Sequence, residues 1–298
     1  MAAVVIDRVT KTFRQHTAVD DLSLQVPEGT IYGFIGPNGS GKTTTLRMIM
    51  RILHPDSGRI TVLGERSLGA ANDRVGYLPE ERGLYKQMKV RDVLRFYAEL
   101  KGCRHSGPAI DAWLARMGLS DWAGKKVEAL SKGMSQKVQF IATVVSRPEL
   151  VLLDEPFSGL DPMVRDELGK ALLDHHANSA ILLSSHDLAE IEGFATHVAF
   201  LESGRLRLSE EMAPLKSRFR EVALTLDAPV AVPVDVPRNW LQISGTDSTI
   251  RFVDDAFNEN TLRSEIARRF GTPQTISISQ MSLRTIFLAF AKSTRKPS

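Results

Sequence analysis

The strongest constraint on the fold of this chain is one glycine-rich segment, which reads Gly36-Pro37-Asn38-Gly39-Ser40-Gly41-Lys42-Thr43. It follows an apolar run that predicts a strand, residues 31–35, and it opens a helical pattern that continues to Leu53. Such a loop points its backbone N–H groups at phosphate oxygens, and the helix N-terminus adds a positive partial charge. The pattern therefore predicts a nucleotide site on an α/β fold.

The residue types in this segment predict how phosphate is held. The Lys42 ammonium neutralises the β- and γ-phosphates, and the Thr43 hydroxyl is offered to Mg²⁺. The predicted nucleotide contacts in the loop and the helix start are Gly36, Pro37, Asn38, Gly39, Ser40, Gly41, Lys42, Thr43 and Thr44.

Two acidic residues follow a second apolar run, residues 150–153, which predicts a buried strand. Ligands bind at the carboxyl ends of parallel strands, so Asp154 is predicted to hold Mg²⁺ and Glu155 to polarise the attacking water. His186 follows a further predicted strand, residues 180–183, and a donor there meets the charge that builds on the γ-phosphate. Taken alone, a histidine after a strand is more often a cap or a surface residue.

The order of predicted elements indicates two domains. Strands alternate with helices up to about residue 215, which is typical of a mainly parallel sheet covered by helices. Residues 86–146 carry a mostly helical pattern within this part. Residues 216–298 predict a small α+β domain.

Composition narrows the classes of protein. The 298 residues are 43% hydrophobic with a net charge of +3, and the apolar runs are too short to cross a bilayer. A single cysteine, Cys103, excludes an internal disulfide and a cysteine zinc cluster, and the seven histidines show no metal-ligand spacing. We therefore expect a protein that does not itself span the membrane.

A further segment resembles the signature loop of the ATP-binding cassette (ABC) ATPases, and it reads Leu130-Ser131-Lys132-Gly133-Met134-Ser135-Gln136-Lys137. Ser131 and Gly133 match the usual LSGGQ pattern, whereas Lys132 and Met134 depart from its glycine and glutamine. The run from Ser158 to Asp161 resembles the loop that crosses the dimer seam in this family. The resemblance covers residues 4 to about 210.

This resemblance implies a composite site. ATP would lie between two copies of the chain, or this chain and a homologous ATPase subunit, with Ser131 and Gly133 of one chain gripping the γ-phosphate held by the other and Asp161 at the seam. Phe13 occupies the position of the aromatic residue that stacks on adenine. The implied fold is a P-loop cassette with a RecA-like parallel core, an N-terminal antiparallel β subdomain and a helical subdomain. The implied partners are separate transmembrane permease subunits, at the cytoplasmic face of the cell membrane.

One departure from the family pattern concerns the metal. Glu80 stands where the family usually has a glutamine that touches Mg²⁺, so it keeps an oxygen ligand and adds a charge. The alternative is that Glu80 is only a loop acid. The run from Tyr77 to Tyr85, with the small C-terminal domain, resembles the ABC-2-type export branch, notably its sodium-efflux and drug-resistance ATPases.

Two functions remain open from the sequence. The first is an ATP-hydrolysing subunit that powers solute export through separate membrane subunits. The alternative is a non-transport ABC ATPase that acts on nucleic acid or the ribosome. A single phosphate loop and a short, cysteine-poor insert between Glu80 and Ser131 favour the first, so no nucleic-acid partner is expected.

Overall fold

The computed structural model describes residues 1–66, 72–81, 83–176, 179–233 and 235–293. Arg82, within the run that resembles the export branch, lies outside them. The chain divides into two compact units, Met1–Ser209 and Glu210–Ser298. Among the described residues, no helix has both the length and the apolar character needed to cross a membrane.

The first unit contains nine strands and six α-helices in the described ranges. Its strands are β1 (Ala2–Phe13), β2 (His16–Pro27), β3 (Ile31–Ile35), β4 (Ser57–Val62), β5 (Val75–Leu78), β6 (Leu150–Asp154), β7 (Ala180–Ser185), β8 (His197–Glu202) and β9 (Arg205–Glu211). Its helices are α1 (Lys42–Ile49), α2 (Val90–Leu100), α3 (Gly107–Arg116), α4 (Lys132–Val144), α5 (Pro162–His176) and α6 (Leu188–Glu192). Short 3₁₀ turns lie at Asn72–Arg74, Ser120–Trp122 and Val127–Ala129.

The central sheet has the order β5-β6-β7-β3-β8-β9, and its first five strands are parallel. Strands β3, β6 and β7 are buried along their whole length, as expected for a sheet covered on both faces. Because they run in one direction, their carboxyl ends meet at a single edge. That edge carries Gly36 after β3, Glu155 after β6 and His186 after β7.

A second sheet has the order β2-β1-β4, with antiparallel pairing. Its apolar side chains share a core with the central sheet and α1, including Val4, Leu24, Leu46 and Leu152, all of which are buried. The sequence predicts strands only over residues 4–6 and 22–26. The observed strands are longer because pairing continues through several register shifts to the hairpin at Phe13 and His16.

The helical region differs in detail from its pattern. Residues 88–130 read as largely helical, yet the structure breaks them into α2, α3 and two 3₁₀ turns. Gly102 (φ 75°) and Gly118 (φ 65°) adopt left-handed conformations just after the two helices, where a helix commonly ends. Helix α4 begins at Lys132, because the Ser131 hydroxyl caps it by accepting from Met134 N at 3.2 Å.

The second unit is a four-stranded antiparallel sheet with helices. Its elements are α7 (Met212–Arg218), β10 (Arg220–Thr225), β11 (Trp240–Thr246), β12 (Thr249–Asp254), α8 (Glu259–Phe270), β13 (Thr275–Gln280) and α9 (Leu283–Ser293). The strand order is β11-β12-β10-β13. Its core includes Leu224 of β10, Trp240 stacked on Phe252, and Leu262 of α8. These strands and helices match the α+β pattern predicted for this part of the chain.

Candidate functional site

The loop between β3 and α1 holds Lys42 in a buried position. Gly41 has φ 101°, and a Cβ there would overlap the Ala18 carbonyl oxygen, so only glycine fits. The Lys42 side chain is 5% exposed; its Nζ donates to the Gly36 carbonyl at 2.7 Å and lies 3.4 Å from Glu155 Oε1. A buried cation in a ring of backbone groups suits an anionic ligand.

Asp154 lies fully buried at the end of β6. Its Oδ1 accepts hydrogen bonds from Thr43 Oγ1 at 2.9 Å and Ser184 Oγ at 2.7 Å, while Oδ2 has no hydrogen-bond partner among the described residues. Burial raises the pKa of the Asp154 carboxyl, against the hydrogen bonds from Ser184 and Thr43. A buried acid oxygen without a donor, beside a threonine hydroxyl, fits a hard cation such as Mg²⁺.

Glu155 is held between two partners. Its φ of 48° is unusual for a residue with a side chain, and its backbone N–H donates to Ser184 Oγ at 3.0 Å. Its Oε1 faces Lys42, and its Oε2 lies 2.8 Å from Nδ1 of the half-exposed His186. A carboxylate oriented in this way, at the mouth of the phosphate loop, can accept a proton from a water molecule.

These groups border one cavity of about 470 Å³. The described residues that line it are Phe13, His16, Ala18, Asn38, Gly39, Ser40, Gly41, Lys42, Thr43, Thr44, Glu80, Glu155, Ser158 and His186. Thus Phe13, Glu80, Glu155 and His186, which are far apart in the sequence, meet at the phosphate loop. Gly36, Pro37 and Asp154 lie behind this lining, where they contact Lys42 or Thr43.

Ser131, Gly133 and Asp161 form a separate group, and they are not among the described lining residues. Ser131 caps α4, and Asp161 Oδ1 caps α5 by accepting from Val164 N at 3.1 Å. A Cβ built at Gly133 would lie 3.2 Å from Val164 Cγ2, so the two helix N-termini pack side by side. Next to them, Lys132 Nζ occupies the space that a Cβ on Gly159 would need.

The sequence reasoning missed several residues that shape this site. Ser184 joins Asp154 to the Glu155 backbone, and His16, Ala18 and Ser158 line the cavity. The available signal for Ser184 was its position directly after the predicted strand 180–183. Since no motif spacing links it to the acids, its contact became visible only with the register Asp154↔Ser184.

Comparison with known proteins places this geometry in a family. A family described as "ABC transporter" matches residues 19–158, and one described as "AAA domain, putative AbiEii toxin, Type IV TA system" matches residues 126–192. An uncharacterized ABC transporter ATP-binding protein of Bacillus subtilis, YhaQ, is 42% identical over 75% of this chain and 76% of its own length.

Two further comparisons point to the same family. The bacitracin transport ATP-binding protein BcrA of Bacillus licheniformis is 36% identical over 72% of this chain and 71% of its own. A solved structure titled as the ATP binding subunit of an ABC transporter superposes with a TM-score of 0.67 at 26% identity, covering 72% of this chain and 92% of that one. The predicted cassette fold is thereby confirmed.

Proposed function

From the premise that the chain belongs to the family of ABC transporter ATP-binding proteins, we propose that it hydrolyses ATP with the residues gathered in the 470 Å³ cavity. The observation that carries this proposal is the row of contacts Lys42–Glu155–His186 at the mouth of the phosphate loop. In this row a cation suited to phosphate lies next to a carboxylate suited to act as a base.

In the proposed site the loop residues 36–44 bind the phosphates. The Lys42 ammonium moves from its contacts with the Gly36 carbonyl and Glu155 to the β- and γ-phosphates, and Phe13, 43% exposed, stacks on the adenine. Thr43, Asp154 and Glu80 would hold Mg²⁺, which when bound neutralises charge on the phosphate oxygens.

Hydrolysis needs a base that takes a proton from water and a hydrogen-bond donor that meets the charge on the γ-phosphate. Glu155 accepts a proton from water, whose oxygen attacks the γ-phosphorus while the bond to the β-phosphate oxygen breaks and ADP leaves. His186 contacts the Glu155 carboxylate through Nδ1 and lines the cavity, where it would meet charge that builds on the γ-phosphate. Both side chains stand on strand ends, so the rigid sheet orients them.

The second group, Ser131, Gly133 and Asp161, completes the site of another copy in this proposal. These residues expose two helix N-termini, which attract the γ-phosphate bound in the facing chain. ATP then joins two chains, and hydrolysis releases them. We infer that this cycle drives separate transmembrane subunits at the cytoplasmic face of the membrane. The name of the relative BcrA, a bacitracin transport ATP-binding protein, supports solute transport as its result, and we infer that the direction is export.

Glu155→Gln tests this proposal, because the amide keeps the shape of the side chain and removes the base. We expect ATP affinity within about threefold of the parent and kcat lower by about 10²–10⁴-fold. With ATP and Mg²⁺ the variant should elute as a dimer in gel filtration, since the bound nucleotide is no longer consumed.

The control is Glu149→Gln, which removes an exposed acid six positions earlier and should leave kcat unchanged. Hydrolysis at the parental rate in Glu155→Gln would remove this residue from the role of base. A variant that binds ATP and yet stays monomeric, also together with its membrane partner, would contradict the shared site.

A further inference from the structure

A buried acid next to the site has no role in the hydrolysis described above. Glu190 lies on α6 with 7% of its side chain exposed. Its Oε2 accepts a hydrogen bond from Ser185 Oγ at 2.8 Å, and its Oε1 lies 3.6 Å from Arg165 Nη1 on α5. Burial raises the pKa of Glu190, while Ser185 and then Arg165 oppose that shift. Glu190 thus connects the end of β7 with α5.

On one side, Glu190 is connected to His186 through Ser185. Ser185 precedes His186, and its hydroxyl accepts from Asp187 N at 2.9 Å while it donates to Glu190. The Asp187 carboxylate caps α6 through Ala189 N at 3.0 Å. The backbone on both sides of His186 is therefore held by one hydroxyl, whose hydrogen bond ends on Glu190. His186 in turn contacts Glu155.

On its other side, Glu190 is connected through Arg165 to residues 158–161, which precede α5 and are called the Asp161 loop below. The Arg165 backbone N–H donates to the Asp161 carbonyl at 3.1 Å, in the first turns of α5. Its guanidinium is partly buried, and Nε has no hydrogen-bond partner among the described residues, so the pairing with Glu190 is its main polar contact there. A displacement of the Asp161 loop moves the first turns of α5 and hence this cation.

We propose that Arg165 and Glu190 are positioning residues that transmit the placement of the Asp161 loop to His186. This inference rests on the proposed function, in which a second chain meets the Asp161 loop. Arrival of that chain then sets the position of His186 and, through it, of Glu155. The charged groups that face Glu190 are Arg165 from α5, Asp187 from the loop before α6, and Glu155 from the end of β6.

A double-mutant cycle in the full chain tests the link. Arg165→Met and Glu190→Met remove the charges at similar size, and Glu190→Gln keeps an acceptor for Ser185 without a charge for Arg165. We expect kcat of each Met variant to fall by about tenfold, with KM for ATP within about twofold because Lys42 and its loop are untouched. Glu190→Gln should fall by less, and Arg165→Lys should regain most of the rate.

The double variant Arg165→Met/Glu190→Met distinguishes the proposed coupling between the Asp161 loop and His186 from an effect on folding stability alone. An apolar pair of similar volume can replace a buried ion pair without loss of stability, so its Tm should recover relative to the single variants. Its kcat should stay as low as in the single variants, because the link between the loops is still missing. Recovery of kcat together with Tm would overturn the proposal in favour of a structural role.

The pair Arg74 and Glu149, joined at 2.7 Å at the far end of β6, provides the control. Arg74→Met, Glu149→Met and their combination should leave kcat within about twofold of the parent. Parental kcat in Glu190→Met would overturn the inference. If Glu155→Gln still forms its ATP-dependent dimer in that case, the proposed function stands without it.

Discussion

The two halves of the candidate site differ in how complete they are within one chain. In the phosphate-loop half, Glu155 contacts both Lys42 and His186, and all three border one cavity. The signature half, with Ser131, Gly133 and Asp161, consists of two capped helix ends and borders none of that cavity among the described residues.

This difference bears on what a single copy is proposed to do. The first half has a buried pair of opposite charges, Lys42 and Glu155, and in the proposed function it binds the triphosphate without help from a second copy. The second half consists of two helix N-termini whose described caps are the Ser131 hydroxyl and the Asp161 carboxylate, each accepting from one backbone N–H. A segment of this kind contributes energy only when a phosphate is brought to it, which is what the proposed second copy supplies.

Among the changes that test this comparison, the largest expected effect on ATP affinity comes from Lys42→Ala. Loss of the charge-assisted contact with phosphate costs about 1.5–3 kcal/mol, and the buried Glu155 carboxylate loses its contact with Lys42. ATP affinity should therefore fall by about 100-fold. Fluorescent-nucleotide titration measures this, with the exposed Lys170→Ala as the control that keeps parental affinity. Tight ATP binding by Lys42→Ala would mean that the first half does not work as described.

A smaller and different effect is expected from Gly133→Asp. The new carboxylate would face the phosphate of the other chain, so kcat should fall by about 30-fold while ATP affinity of the single chain stays within about threefold. The added Cβ needs only a slight shift of Val164, and folding should be preserved. ATPase assays measure kcat, and fluorescent-nucleotide titration measures the ATP affinity of the single chain.

Gly124→Asp is the matched control for this change, since it adds the same charge where a Cβ meets open space. Its rate and affinity should equal those of the parent. If Gly133→Asp instead weakens ATP binding as strongly as Lys42→Ala does, the two halves act within one chain and the comparison above fails.

The sequence predicted the first half well because its information is local. A strand, a loop of fixed spacing and a helix are neighbours in the chain, so motif and periodicity place residues 36–44 together. The edge of a parallel sheet then brings Glu155 and His186 to the same loop, a consequence of topology alone. Each of these contacts needs only the order of elements.

The contacts that escaped prediction join side chains with no set spacing. Ser184 reaches Asp154 through strand register, and Arg165 reaches Glu190 through the packing of α5 beside α6. The β1–β2 hairpin was underestimated for a related reason: its outer part is polar and is held by cross-strand pairing, which hydrophobic alternation does not report.

The smallest expected effect concerns Glu80, which lines the cavity at the position where a glutamine is usual. Glu80→Gln keeps an oxygen that can face Mg²⁺ and removes one negative charge, so the metal should bind less readily while the phosphate loop is unaffected. We expect the Mg²⁺ concentration for half-maximal ATPase activity to rise about threefold, with ATP affinity in the absence of metal unchanged or slightly higher. An Mg²⁺ titration of the ATPase rate measures this, and the neighbouring exposed acid provides a control as Glu81→Gln. An unchanged Mg²⁺ dependence would return Glu80 to an ordinary loop acid and would confine the metal site to Thr43 and Asp154.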